Sequence, residues 1–296
     1  MGPGTVPRHV VSVDVEDWEQ LARRRLAGRL APPTSRVLSN TRAVLDLLAR
    51  RGVRATFFVL GLIAEAHPQL VREIHAAGHE IGTHGYSHQL LYHLGPQRFR
   101  DELRHSMRLL QDITGQPVLS HRAAEFSITP RSHWALQILA EEGIRYDSSI
   151  FPVRHPRYGW PDAPTTPYPI EIEGQTVWEF PLPTVRLGRW NVPVGGGGYL
   201  RLLPYAWTRR ALGSIARSNR AIVFYLHPYE VDPAMLRLPL AKKTGRLWLF
   251  EFLQNVNRGT VARRHIDCAL RDFPVGPLRE VACWWTAQAP RLPKTA

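Results

Sequence analysis

Short apolar runs and amphipathic stretches alternate through the first 150 residues, most of them closed by a glycine, and few folds accept that rhythm. Residues 10–15 form a β-branched run that ends in acids. Residues 41–51 set Val44, Leu45, Leu47 and Leu48 on one helical face before Gly52. Residues 55–60 read as a buried strand bounded by Gly61. Residues 68–77 read as a helix that turns Leu70, Val71 and Ile74 inward before Gly78. A strand over 79–82, a long helix over 96–114 and a strand over 118–121 follow. A helix over 130–142 and a strand over 144–146 complete the series. Strand, helix and return at such intervals imply a parallel sheet covered by helices, so an α/β, barrel-like β/α fold is expected. In such folds chemistry gathers at the C-terminal ends of the strands.

Residues 151–200 change character. Six prolines fall between Pro152 and Pro169, Trp160, Trp178 and Trp190 are spread through the stretch, and Gly195–Gly198 form a run. An elaborated loop region over the barrel mouth is expected there, with short β segments at 170–172 and 176–180, followed by a clear strand at 221–226. Beyond about Pro239 the chain is basic and helical and is expected to pack outside the barrel. The division that follows is a barrel unit over residues 1–235, with the 151–200 loops inserted, and a C-terminal extension over 236–296. An apolar fraction of 44% with 21% charged residues excludes a disordered chain. The formal net charge of +13 invites a nucleic-acid reading, but Lys and Arg are scattered and form no basic tail. No nucleic-acid partner is expected; an acidic polymer or an anionic membrane surface is preferred. There is no run of eighteen apolar residues, residues 1–8 leave no room for a secretory apolar region, and Cys268 and Cys283 make no disulfide framework. The cytoplasm is the expected compartment, with peripheral contact to a membrane or a biosynthetic complex.

The residues able to do chemistry fall at the expected strand ends. Asp14, Glu16 and Asp17 crowd three acids into four positions after an apolar run, which is costly to bury without a cation or a shared proton. Alternation sets Asp14 and Glu16 on one face and Asp17 beyond the strand end; the plainer reading is a solvated turn with a helix cap. His84 and His88 share a His-x-x-x-His spacing that brings both imidazoles to one side of a helical turn, although two histidines alone are more often ordinary surface or core residues. Gly82 and Gly85 flank the first of them and allow close backbone approach. Two imidazoles and one carboxylate leave coordination positions open, as catalytic metal sites do. His227 ends the late strand, as a functional group or as a capping histidine. Arg122 follows another strand and is placed to hold a carboxylate. Asp147, with Ser148 and Ser149, would pair with Arg122 or cap a turn. His79, His93 and His121 read as structural, with His93 in reserve as a ligand. Trp160, Trp190 and Tyr199 are either sugar-stacking platforms or buried aromatics.

Five segments in this order resemble the polysaccharide deacetylase family, also called the NodB-homology or carbohydrate esterase 4 group. They are Asp14-Val-Glu-Asp17, His84-Gly-Tyr-Ser-His88, the Arg122 segment, Asp147-Ser-Ser and Leu226-His227-Pro228, spanning roughly residues 9–232. The resemblance implies an incomplete (β/α) barrel and a divalent ion, zinc or another, bound by one acid and two histidines. His84 and His88 would be the metal histidines, Asp14 the general base, His227 the general acid and Arg122 the residue that orients the base; Asp147 joins the catalytic set. The closest variety is similar to the deacetylases of exopolysaccharide and exosortase loci, whose C-terminal extension would account for residues after about 235. The usual first motif has adjacent aspartates, whereas Asp14 is followed here by Val15. The acidic ligand is therefore Glu16 or Asp17, and variants with Asp-x-acid favour Glu16. The third motif reads Arg122-Ala-Ala124 in place of Arg-x-Pro, which is expected to loosen its loop. The implied activity is removal of acetyl groups, N-acetyl in particular, from a polysaccharide or its oligosaccharide intermediate in exopolysaccharide or cell-envelope biosynthesis. Its rivals are an allantoinase-like amidohydrolase acting on a small cyclic amide and a non-catalytic carbohydrate-binding member of an assembly.

Overall fold

A computed structural model describes residues 7–27, 31–237 and 244–288. The expectations for residues 1–6 and for the stretch at Pro239 lie outside the described residues. The first strand, β1 (His9–Val15), leads into α1 (Trp18–Ala27) and α2 (Arg36–Arg51). Then follow β2 (Thr56–Val59), α3 (Gly61–Ala66), α4 (Pro68–Ala76), β3 (Glu80–Thr83), α5 (Leu91–Leu94) and α6 (Pro96–Thr114). Next come β4 (Ser120–His121), α7 (Trp134–Glu141), β5 (Tyr146–Asp147), β6 (Tyr168–Ile172) and β7 (Gln175–Glu179). The hairpin strands β8 (Thr184–Leu187) and β9 (Trp190–Pro193) precede α8 (Gly197–Leu202), α9 (Tyr205–Arg217) and β10 (Val223–Leu226). Last are α10 (Gly245–Asn255), α11 (Thr260–Asp272), β11 (Val275–Gly276) and α12 (Leu278–Ala287).

The main sheet runs β10-β1-β2-β3-β4-β5-β7-β6, with β11 also paired to β1. Every pairing is parallel except that of β6 with β7. The path does not close, so the sheet is the curled, incomplete α/β barrel expected from the sequence. Alternation along β1 sorts its side chains onto two faces. Val11, Val13 and Val15 join Phe57, Val59 and the inward faces of α2, α3, α4 and α6 in the larger core. Val10 points the other way, into a second cluster with Phe58, Phe126, Tyr225 and Trp285. Ser12 and Asp14 share the face of Val10, so the strand that builds the core also delivers polar groups to the concave side.

The short β segments expected at 170–172 and 176–180 are β6 and β7, and they extend the sheet by two strands, because Val177 and Trp178 are apolar enough to lie beside β5. The C-terminal segment differs from the expectation, for it is not wholly outside the barrel. The faces of α11 bearing Ile266, Ala269 and Leu270 join the outer core, but α12 sends Leu278, Val281, Ala282 and Trp285 into the concave cluster. The helix expected over 41–51 begins five residues earlier, at Arg36, because Val37 and Asn40 are already buried against the sheet. It stops at Gly52, whose φ of 60° is left-handed and whose N–H closes onto the Ala49 carbonyl, while the Val53 N–H closes onto that of Leu48.

One glycine shapes the concave face. A Cβ on Gly82 would meet ring carbons of Phe58 at 2.7 and 2.9 Å and the Ser120 carbonyl oxygen at 3.0 Å. The missing side chain lets the Phe58 ring lie flat across β3, where it supports the Arg122 guanidinium 4.4 Å from the ring centroid. Gly82→Ala is expected to destabilise the fold by about 1–3 kcal/mol through overpacking, read as a lowered midpoint in denaturant unfolding.

Candidate active site

The parallel strands end on one side, and the side chains there converge. Glu16 follows β1, His84 follows β3, and His88 lies four residues on. Glu16 Oε1 is 2.9 Å from His84 Nε2 and 2.8 Å from His88 Nε2. The three ligand atoms lie within 4.8 Å of one another, and all three side chains are buried. Asp14, Glu16 and His227 form a second such group on the other side of Glu16, with His227 Nε2 3.8 Å from Glu16 Oε2. Glu16 thus faces two histidines with one oxygen and a third with the other.

The 84–88 segment is not a helical turn. Gly85 and His88 both take left-handed backbone, at φ of 72° and 56°, and the chain doubles back between them. Two such residues, rather than the i, i+4 geometry of a helix, bring the rings to 5.2 Å between centroids. His88 is held by Arg24 of α1, which donates to the carbonyls of Ser87, at 2.7 Å, and of His88. His84 Nδ1 lies 2.7 Å from the Arg122 carbonyl oxygen and donates to it, which turns Nε2 toward Glu16.

Arg122 is fully buried and fully bonded. Its guanidinium donates to Asp14 Oδ1 at 2.9 Å, Ser12 Oγ at 2.7 Å, Ser148 Oγ at 2.8 Å and the Ser148 carbonyl at 2.8 Å. The loop after it is pinned rather than loosened by the missing proline. Ala123 and Ala124 are buried, and the Ala123 N–H donates to Ser149 Oγ at 2.8 Å.

Two expected site residues stand apart. The Asp17 carboxylate accepts the N–H of Glu19 at 3.0 Å and that of Thr34, so it caps α1 and lies outside both ligand groups. Asp147 does not pair with Arg122. It accepts from His121 Nδ1 at 2.7 Å and from Ser149 Oγ at 2.7 Å, and it crowds Glu179 behind the site. Burial and the neighbouring Asp147 push the Glu179 carboxyl well above the usual carboxylate range. Sequence reasoning passed over Glu230, whose Oε2 accepts the His227 backbone N–H at 3.0 Å and sits 3.5 Å from His227 Nδ1. The run Tyr-Leu-His-Pro-Tyr-Glu held that signal, three positions after the histidine. Ser12, inside an apolar strand, gave no signal at all.

Electrostatics follow from this packing. Burial alone would raise the Glu16 carboxyl, but the charges of His88 and His227 and hydrogen bonds from His84 and His88 hold it well below the usual range. Burial opposes protonation of His84 and His227, yet both are raised, His84 by the Glu16 hydrogen bond and His227, to about 9, by the Glu16 charge and by Glu230. A carboxylate facing imidazole lone pairs needs protons or a cation between them. Two imidazole nitrogens with one carboxylate oxygen are a fitting donor set for zinc or a similar divalent ion. The cavity beside them is about 530 Å³ and is walled by Trp18, Phe126, Tyr158, Tyr225, Tyr229 and Phe250. Of the aromatics expected at the site, Tyr199 touches only its edge, with its hydroxyl 3.4 Å from that of Tyr158, Trp160 packs against the outer core and Trp190 sits on the β8–β9 hairpin.

Comparison with known proteins agrees with the fold. The profile of a family described as polysaccharide deacetylase matches residues 33–146, and a domain of unknown function (DUF3473) matches residues 148–282. A chitooligosaccharide deacetylase of Bradyrhizobium sp. (strain ANU 289) is 33% identical over 97 residues, 33% of this chain and 42% of the relative. A peptidoglycan-N-acetylglucosamine deacetylase of Bacillus cereus is 37% identical over 78 residues, 26% of this chain and 28% of the relative. The chain thus spans less than half the length of these curated relatives. Among solved structures, a Mycobacterium smegmatis protein assigned to the polysaccharide deacetylases superposes with a TM-score of 0.61 at 20% identity, covering 97% of this chain and 93% of its own. The PuuE allantoinase gives 0.61 at 17% identity with the same coverages. Both share the fold.

The capping role of Asp17 has a direct check. Asp17→Ala should lower unfolding stability by about 1–2 kcal/mol while divalent-ion affinity, measured by calorimetry, stays unchanged; Glu16→Gln should do the reverse. Because the Glu16 hydrogen bond raises the His84 imidazole, and an ion needs its bare Nε2, ion binding below that raised pKa should release a proton from His84. Titration in buffers of different ionisation enthalpy reads that release, which should fall away as the pH rises through the raised His84 pKa.

Proposed function

We propose that this chain, whose residues 33–146 match the polysaccharide deacetylase family, is a metal-dependent hydrolase that removes acetyl groups from an N-acetylglucosamine-type polymer or oligosaccharide. The observation that carries the reading is the convergence of Glu16, His84 and His88 on one point, with Asp14 and His227 beside it. The sequence relatives reported above are deacetylases of chitooligosaccharide and peptidoglycan, which supports the substrate class. Zinc as the ion, a role in exopolysaccharide or envelope biosynthesis, a cytoplasmic working place and contact with a membrane surface belong to the same proposal. Among the described residues no helix is long and apolar enough to cross a membrane.

Glu16, His84 and His88 would hold the ion. When bound, it supplies Lewis-acid polarisation of the acetyl carbonyl and a water of lowered pKa. Arg122 fixes Asp14 through Oδ1, which leaves Oδ2 to take the proton as water attacks. His227 delivers a proton from Nε2 to the leaving amine, which departs poorly as an anion. Its raised pKa keeps that proton in place at neutral pH; a cation beside Glu16 would weaken the raising, while Glu230 sustains it. The aromatic walls shed water and offer apolar faces to sugar rings. Asp147, Ser148 and Ser149 act behind Arg122 as positioning groups. The allantoinase-like alternative shares the fold, but the sequence relatives reported above are deacetylases. A purely binding role would have no use for a buried acid, base and ligand set together.

Acetate release from N-acetylglucosamine oligomers tests the reading. Chelation should abolish release and a divalent salt should restore it. His227→Ala should slow turnover about 10²–10⁴-fold with the ion retained. If His84→Ala leaves both ion content and acetate release unchanged, the proposal is wrong.

A further inference from the structure

Helix α10 is built with its apolar side outward. At 3.6 residues per turn, Trp248, Leu249, Phe252 and Leu253 share one arc of roughly 140°, and they are 62%, 53%, 52% and 43% exposed. The opposite arc carries Leu247, Phe250 and Gln254, which line the cavity of the candidate site, together with Glu251, the one acid of the helix. None of the residues of α10 is buried. Trp248 and Phe252 stack 5.9 Å apart with their rings 5° from parallel, a pair held together in solvent. A globular helix normally turns its charge out and its large side chains in. This one does the opposite while its inner side walls the cavity.

The setting says what would cover that face. All ten large apolar side chains exposed among the described residues fall between Leu187 and Val261; the described residues before 187 expose none. The net charge follows the same boundary. Residues 186–264 hold fourteen Lys and Arg against three Asp and Glu, a net +11 of the +13 of the whole chain. Lys and Arg are scattered along the sequence, as noted above, but their excess over acids is not. Met235 and Arg237, both exposed, flank Leu236, which packs with Trp18 beside Leu247 and Phe250. Arg201 donates to the carbonyls of Leu253, at 2.9 Å, and of Val256, tying the end of α10 to α8, which exposes Leu202. Aromatic and leucine side chains on one helical arc, in a strongly basic surround, are the makeup of a segment that lies in a bilayer interface. An acidic polysaccharide would complement the charge but has no use for Leu249 and Leu253.

We propose that the outer face of α10 docks the protein on an anionic membrane surface, bringing the mouth of the cavity to the bilayer. The docking stands on this surface alone; its value for reaching a membrane-held glycan rests on the function proposed above. The test is co-sedimentation of the full chain with phosphatidylcholine vesicles with and without about 30% phosphatidylglycerol, at low and high salt. Binding is expected to the anionic vesicles and to weaken with salt. The double variant W248S/F252S, whose side chains lie outside the cavity wall, should bind at least about tenfold more weakly. The separate variant Arg237→Glu should bind about fivefold more weakly. Both should keep the wild-type unfolding midpoint and unchanged acetate release from soluble oligomers. Wild-type protein that stays in the supernatant overturns the proposal, as does vesicle binding that both variants retain. Sedimentation as a dimer that W248S/F252S dissociates, without vesicle binding, also overturns it and assigns the face to a second copy. Binding to dextran sulfate in place of vesicles, insensitive to W248S/F252S, overturns it in favour of an acidic polymer. Vesicle binding without acetate release leaves the docking standing and removes only the catalytic reading.

Discussion

A guanidinium with no access to water organises the candidate active site of this protein. Burying Arg122 is tolerable because four acceptors meet it, one of them the charged Asp14 and two of them the serine that follows β5. The Phe58 ring beneath it, made possible by the bare backbone of Gly82, closes the remaining side. The same residue fixes His84 through its carbonyl oxygen. The residue just after β4 therefore sets the direction of both an acid on β1 and an imidazole just after β3, and disturbing it would disturb both.

Glu16 is the second hinge of the arrangement. Its two oxygens face different partners, His84 and His88 on one side and His227 on the other. A cation bound on the first side would lessen the negative charge that His227 feels on the second. In the function proposed above, loading the ligand group and setting the proton affinity of His227 would be a single electrostatic event, with Glu230 as the separate support that keeps His227 basic.

Much of this was legible in the sequence because parallel β/α folds convert order along the chain into position in space. Asp14, Glu16, His84, Arg122 and His227 each follow a short apolar run, and parallel pairing brings the ends of those runs to one edge. What was not legible depended on backbone detail or on long-range partners. The two histidines meet through left-handed backbone at Gly85 and His88, which spacing alone mistakes for a helical turn. Asp17 looks like a ligand until the first turn of α1 and the Thr34 N–H claim its oxygens. Asp147 looks like a partner for Arg122 until His121, 26 residues before it, takes that place. The strands at 168–172 and 175–179 were legible as short β segments, but nothing in the sequence said that they join the main sheet, where β6 accommodates Pro169 at the edge.

The order of strands carries a further consequence. β10, from the part of the chain matched by the domain of unknown function, lies directly beside β1, which precedes both matched segments. The acid–histidine constellation is thus drawn from three stretches that no profile unites. Neither matched segment is an interchangeable module: a recombination event that exchanged residues 148–282 for a foreign sequence would replace the strand against which β1 is zipped and remove His227 with it. Descent should therefore have kept the three stretches together, and a chain that carries one of them without the others would be missing part of its catalytic edge.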